Sequence, residues 1–140
     1  MFKGLNFLMF LLVCGFSCST SNNKPLSINF SADSANILIY NIYPAGLYKI
    51  KNNIKTDTLY QKLISVLQTP ADDSTSKEIE WPGMLTTTGD SLFFTPDKPF
   101  VKGKRYLVET ILNVTFASGK EIVKANVGHT VKAQQKTLIR

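Results

Sequence analysis

The chain has little cysteine, one histidine and one tryptophan among its 140 residues. Cys14 and Cys18 are the two cysteines, so the chain from Ser19 onward can form no disulfide and offers no thiol nucleophile. A zinc centre needs three or four nitrogen, sulfur or oxygen ligands, which His129 does not supply alone. The sequence also has no Gly-x-Ser-x-Gly nucleophile turn and no glycine-rich phosphate loop. We therefore predict no metal, no cofactor and no enzymatic activity.

The chain also has no uninterrupted apolar run of the roughly 20 residues that cross a bilayer as a helix. The apolar run near the start extends from Leu5 to Val13, is broken by Asn6 and follows the single charge of Lys3. A charged start before a short apolar segment is typical of a secretory signal. We expect residues 1–17 to be a signal peptide.

The end of that segment, Ser17-Cys18-Ser19, resembles the processing site of bacterial lipoproteins, in which a small residue precedes the cysteine that is acylated. The resemblance implies that Cys18 becomes the lipidated first residue and that the membrane is a partner through this anchor. The implied location is the bacterial cell envelope, most simply its outer membrane. Residues 18–25 would then be the lipidated cysteine and a short polar tether.

The net charge of +6 raises the question of an acidic partner, and the envelope address argues against nucleic acid. Basic residues crowd one predicted corner and the C-terminal part of the chain: Lys98, Lys102, Lys104, Arg105, Lys124, Lys132, Lys136 and Arg140. Our interpretation is that they guard exposed strand edges against pairing with other chains. The alternative is attraction to an anionic membrane or an acidic glycan.

Alternation of apolar and polar residues is the main folding signal. It is longest from Tyr106 to Phe116, and the Ser118-Gly119 turn follows it. Shorter segments of the same kind predict strands at 26–30, 36–43, 47–50, 77–81, 90–95 and 129–133. Residues 59–68 fit a strand from Lys62 to Gln68 or one or two helical turns. The prediction is an all-β fold, an antiparallel sandwich of about seven to nine strands over residues 26–133, with a tail at 134–140.

A second resemblance lies in the stretch with Phe94-Thr95-Pro96, Phe100, Gly103 and Tyr106. It is similar to bacterial immunoglobulin-like domains of envelope proteins, which implies an Ig-like sandwich serving as a spacer, adhesion or accessory module. The residues also carry a physical logic of their own. Pro96 ends strand pairing, Gly103 allows a turn, and Tyr106 can bury its ring while its hydroxyl finds a backbone partner.

Four Asp-Ser or Asp-Thr pairs resemble the O-glycosylation acceptor of certain Gram-negative envelopes. The candidate acceptors are Ser34, Thr58, Ser74 and Ser91. The structural alternative is that each pair forms a turn or a helix cap.

The aromatic residues supply a second functional hypothesis, a carbohydrate-binding accessory lipoprotein. Trp81, Tyr48 and Tyr60 are its candidate glycan-binding residues, because aromatic faces stack on sugar rings. A third hypothesis uses the carboxylates Asp72, Asp73, Glu78 and Glu80 for calcium binding or hydrolysis. The first hypothesis remains a non-enzymatic, membrane-anchored interaction or structural module, whose partner is an envelope protein or a glycan.

Overall fold

The computed structural model describes residues 24–70, 77–112 and 133–140. These residues form eight strands, one α-helix and one 3-10 helix. The strands are β1 (Ser27–Phe30), β2 (Ile37–Tyr40), β3 (Ile64–Thr69), β4 (Ile79–Glu80), β5 (Gly83–Thr88), β6 (Ser91–Pro96), β7 (Arg105–Thr110) and β8 (Gln134–Ile139). The helix α1 is Pro44–Asn53, and the 3-10 helix is Thr58–Leu63.

The strands make two antiparallel sheets of four, in the orders β1-β2-β6-β5 and β4-β3-β7-β8. Lettered along the chain, the first sheet is ABED and the second is C′CFG, the strand order of immunoglobulin-like sandwiches. The predicted all-β antiparallel sandwich is confirmed, and the eight strands among the described residues fall within the predicted number.

The core lies between the two sheets and follows the alternation of the strands. In β7 the side chains of Tyr106, Val108 and Thr110 are buried, while Leu107 and Glu109 on the other face are partly exposed. Ile37 and Ile39 of β2, which belongs to the other sheet, are also buried. The expected inward face of β7 is confirmed as far as Thr110, where the strand ends. Residues 113–116 of the predicted strand lie outside the described residues.

The sandwich has two ends, which we name for what lies there. The N-terminal end is where β1 begins, β2 and β7 end and β5 turns into β6; it includes Leu26, Asn41 and Asp90. The corner end is where β6 ends and β7 begins; it includes Phe30, residues 97–104 and Arg140.

The predicted short strand at 47–50 is wrong, since residues 44–53 form α1. Pro44 stands in the first turn, where its fixed φ suits a helix and its missing N–H costs no bond. Leu47 and Ile50 are three residues apart and both face the core, as does Ile54 just after the helix. Burial of this helical stripe decides the conformation.

The ambiguous segment 59–68 contains both structures that its sequence allowed. The 3-10 helix is capped by Asp57, whose carboxylate accepts a hydrogen bond from the Leu59 N–H at 2.9 Å. From Ile64 the chain is strand β3, in which Ile64 and Val66 are buried.

Two strands were not expected. The first is β5, which begins at Gly83, where the chain lies against Phe94 and Thr95 of β6. The predicted tail at 134–140 is mostly β8, which pairs with β7 along its whole length and buries Leu138. The expected strand at 129–133 lies outside the described residues except for Ala133, which is not in a strand.

Candidate functional site

The corner end is built around Tyr106, the second residue of β7. Its ring is fully buried, and its hydroxyl accepts a hydrogen bond of 2.8 Å from the Val101 N–H, five residues upstream. This is the tyrosine corner of immunoglobulin-like sandwiches, in which a tyrosine near the start of strand F bonds back to the preceding loop. Gly103 lies between them with a φ of +78°, a value that glycine adopts readily. The predicted roles of Tyr106 and Gly103 are confirmed.

Three further rings surround Tyr106 edge to face. The ring centroids of Phe100, Trp81 and Phe30 lie 4.7, 5.4 and 6.4 Å from that of Tyr106. Such edge contacts between aromatic rings add stability beyond the area they bury. Phe94 and Phe100 are both buried. The corner end is therefore closed by an aromatic cluster: Phe30, Trp81, Phe100 and Tyr106.

Trp81 belongs to this cluster. Its indole Nε1 donates to the Lys98 carbonyl at 3.0 Å, and its backbone N–H donates to the Val66 carbonyl at 2.8 Å. The ring packs against the core and is half-buried. Its polar atom and one edge of its ring are thus used in holding the corner together.

The other predicted glycan-binding residues lie elsewhere. Tyr48 is on α1 at the N-terminal end and is 70% exposed, whereas Trp81 packs in the aromatic cluster of the corner end. Tyr60 is in the 3-10 helix and packs partly against the core. Trp81 and Tyr48 do not form one stacking surface. Glycan binding by any of the three residues stays a prediction.

The N-terminal end presents side chains of a different kind. Tyr43, Tyr48 and Leu59 are 48%, 70% and 66% exposed, respectively. The segment from Tyr43 to Lys62, which crosses from one sheet to the other, has four lysines and one aspartate. All four of these lysines are exposed: Lys49, Lys51, Lys55 and Lys62. Sequence reasoning missed this surface, because the lysines are not contiguous and the helix α1, which carries two of them, was not predicted.

Gln61 fixes the crossing segment against strand β5. The Gln61 amide accepts from the Leu85 N–H at 2.8 Å and donates to the Leu85 and Ile54 carbonyls, both at 3.2 Å. β5 is an edge strand, so a side chain here replaces the missing neighbour strand. Lys51 also reaches Asp90 in the β5–β6 turn, at 3.6 Å, between exposed groups.

The candidate glycosylation residues are in different settings. Thr58 is exposed and begins the 3-10 helix. Ser34 and Ser91 are half-buried, Ser34 with a φ of 56° and Ser91 as the first residue of β6. In two of the pairs the aspartate has the predicted structural role, because Asp33 holds a turn and Asp57 caps a helix. Ser74 and the lipidation site Cys18 lie outside the described residues.

Asp33 is the carboxyl with a perturbed pKa at the corner end. The Ser31 hydroxyl and the Ala35 N–H both donate to its Oδ1. These bonds favour the charged form and lower its pKa from the ordinary value. Asp33 is fully exposed, so the shift describes a turn and not a buried reactive acid.

Within residues 24–70, 77–112 and 133–140, no three His, Cys, Asp or Glu side chains are close enough to hold a metal ion. Glu78 and Glu80 are both exposed, while Asp72 and Asp73 lie outside these ranges. Among the described helices, none has the length and apolar character to span a bilayer.

The chain was compared with protein-family models, with curated proteins and with solved structures. None of the three comparisons found a match. Relationship to bacterial lipoproteins or bacterial immunoglobulin-like domains therefore stays a prediction.

Proposed function

We propose that this protein is a non-enzymatic envelope lipoprotein, attached to a membrane through Cys18 and serving as an interaction or structural module. The segment before Lys24 directs the chain to the envelope, and the sandwich is the folded module. The outer membrane of a Gram-negative envelope is the location that fits the resemblance of Ser17-Cys18-Ser19 to lipoprotein processing sites.

The observation that carries the proposal is where and how the chain enters the fold. The Pro25 carbonyl accepts a hydrogen bond from Asn41 Nδ2 at 3.3 Å, and Leu26 is buried one residue later. Only six residue steps separate Cys18 from Lys24, a span of about 20 Å when extended. A lipid on Cys18 would therefore hold the sandwich close to the bilayer surface.

The module role is supported by how polar side chains are used. Thr110 Oγ1 donates to the Leu63 carbonyl at 3.1 Å and accepts from the Leu112 N–H at 3.1 Å. Trp81 Nε1 and the Gln61 amide likewise bind backbone groups. These contacts fix the loops between strands, which suits a rigid spacer or recognition module.

Replacement of Cys18 tests the anchor. Cys18→Ala made in a Gram-negative host is expected to lose incorporation of a labelled fatty acid and to move from the detergent phase to the aqueous phase. Cys14→Ala is the matched control and should keep both properties, because the lipoprotein pattern assigns acylation to the cysteine after Ser17. Fatty-acid labelling that persists in Cys18→Ala would contradict the proposal.

A further inference from the structure

The segment that links the two sheets lies at the end of the sandwich where the chain enters. Three residues separate the end of β2 from the start of α1, and Lys51 of α1 reaches Asp90 in the β5–β6 turn at the same end. Asn41, just before α1, donates from Nδ2 to the Pro25 carbonyl and to Ser27 Oγ. The anchor side of the chain and α1 therefore share one end of the molecule.

The crossing segment exposes large side chains that have an apolar body. α1 turns Leu47 and Ile50 to the core and leaves Tyr48 70% exposed, while Leu59 is 66% exposed in the 3-10 helix. Tyrosine suits the boundary between lipid and water, because its ring enters the headgroup region while its hydroxyl stays hydrated. The exposed face thus fits a bilayer surface.

The charge of the same segment favours an anionic surface. Its four exposed lysines exceed its acids, because Asp57 is the segment's one acidic residue and its carboxylate caps the 3-10 helix. Lysines combine a long apolar stem with a charged tip, so they can lie beside tyrosines and still reach phosphate groups. Attraction of this kind acts within a Debye length of about 8–10 Å from the membrane.

The corner end is also basic, but its position is unsuitable. Strands of six residues separate it from the N-terminal end, a length of about 20 Å, which exceeds the Debye length. A tether of six residue steps would have to be fully extended for Lys102 or Lys104 to touch the bilayer. The N-terminal end is therefore the one held near the bilayer, because the chain enters the fold there.

We propose that the surface formed by Tyr43, Tyr48, Leu59 and the four lysines of residues 43–62 rests on anionic phospholipid. This inference rests on the proposed membrane anchor and adds an orientation: the N-terminal end lies against lipid, and the aromatic corner end points away from it. The corner end is then the part of the module that is free to meet another envelope component.

Hydrogen exchange of the full chain, purified from bacterial membranes, tests this orientation. The chain is reconstituted on vesicles of phosphatidylcholine alone or mixed with phosphatidylglycerol. Amides of residues 43–62 that exchange through local opening are expected to exchange about tenfold more slowly on the anionic vesicles. Residues 97–105 at the corner end should exchange equally on both, and high salt should remove the difference.

Matched charge reversals separate the two ends. The double variant Lys49→Glu with Lys55→Glu should lose the protection given by phosphatidylglycerol, whereas Lys102→Glu with Lys104→Glu should keep it. All four lysines are exposed, so neither pair is expected to disturb the core. Equal effects of the two pairs, or protection at 97–105 in place of 43–62, would overturn the orientation.

Flotation of the same vesicles measures whether the chain is bound to them. A failure of the proposed anchor can then be told apart from a failure of the proposed orientation. A chain that floats with both lipids but shows no protection at 43–62 overturns the orientation alone. A chain that stays unbound to both lipids overturns the anchor and the orientation together. If an unidentified protein co-purifies and residues 43–62 stay protected on phosphatidylcholine alone, lipid is not the occupant of this surface.

Discussion

The two ends of this sandwich use aromatic residues in opposite ways. At the corner end, Tyr106 is fully buried and its hydroxyl is bonded, and Trp81 gives its indole N–H to a backbone carbonyl. At the N-terminal end, Tyr43 and Tyr48 stand exposed beside lysines. The comparison shows that residue type does not decide the role of a ring. What decides it is whether the backbone supplies a partner for the polar atom and whether other rings cover the apolar body.

The largest expected difference between the ends is in stability. Tyr106→Ala should lower the free energy of unfolding by about 3–5 kcal/mol, because it opens a cavity among Phe30, Phe100 and Trp81. Tyr48→Ala should change it by no more than about 0.5 kcal/mol, as expected for an exposed helix position. Urea unfolding followed by circular dichroism measures both. A large loss of stability in Tyr48→Ala would contradict this difference between the two ends.

β5, the strand that follows Trp81, should be almost as sensitive to substitution as the aromatic cluster. A Cβ at Gly83 would lie 2.6 Å from Phe94 Cζ and closer still to the Thr95 carbonyl oxygen. Gly83→Ala should therefore destabilise the fold by about 1–3 kcal/mol through overpacking. Met84→Ala, at the next and exposed residue of β5, is the matched control and should cost less. Thermal unfolding of the two variants compares them directly, and equal melting temperatures would exclude the close approach at Gly83.

A smaller effect confined to the crossing segment is expected from Gln61→Ala. The variant removes three hydrogen bonds and leaves the Leu85 N–H and two carbonyls to water, at a cost of about 1–2 kcal/mol. Native-state hydrogen exchange should accelerate in residues 44–63 and stay unchanged in 97–106. Gln135→Ala, which removes an exposed contact with Glu109, should accelerate neither region. Uniform acceleration would show that the two ends are not independent.

The smallest expected effect concerns the corner end and pH. The folded pKa of Asp33 lies below its ordinary value of 3.8, chiefly because the Ser31 hydroxyl donates to it. Its contribution to stability is therefore present above that ordinary value and is lost as pH falls through the lowered folded pKa. Ser31→Ala should raise the pKa of Asp33 in an NMR titration, and Ser27→Ala should not. An unchanged titration in Ser31→Ala would remove the assigned cause.

Sequence reasoning succeeded where local pattern and burial agree. The alternation of Tyr106, Val108 and Thr110, the strand around Phe93 and the turn at Gly103 all appear as predicted. These features depend on side-chain period and backbone freedom, which neighbouring residues specify. The role of Tyr106 followed from the same information.

It failed where a segment takes its structure from a distant partner. Gln134–Ile139 is mostly polar and pairs with β7 because that strand offers a free edge. α1 has a glycine and a proline near its start, and only its contact with the core makes the helix favourable. Gln61 gives no sequence signal at all, because its partner Leu85 is 24 residues away.

Side-chain period, turn residues and cysteine positions are local properties, and they are enough to predict a β-sandwich with an aromatic corner and no thiol after Cys18. The end of the sandwich that each ring and lysine occupies is set by the fold instead. Strand order and register set those positions, and they depend on pairing between residues far apart in the chain. The same pairing places the exposed tyrosines and lysines beside the point where the chain enters the fold.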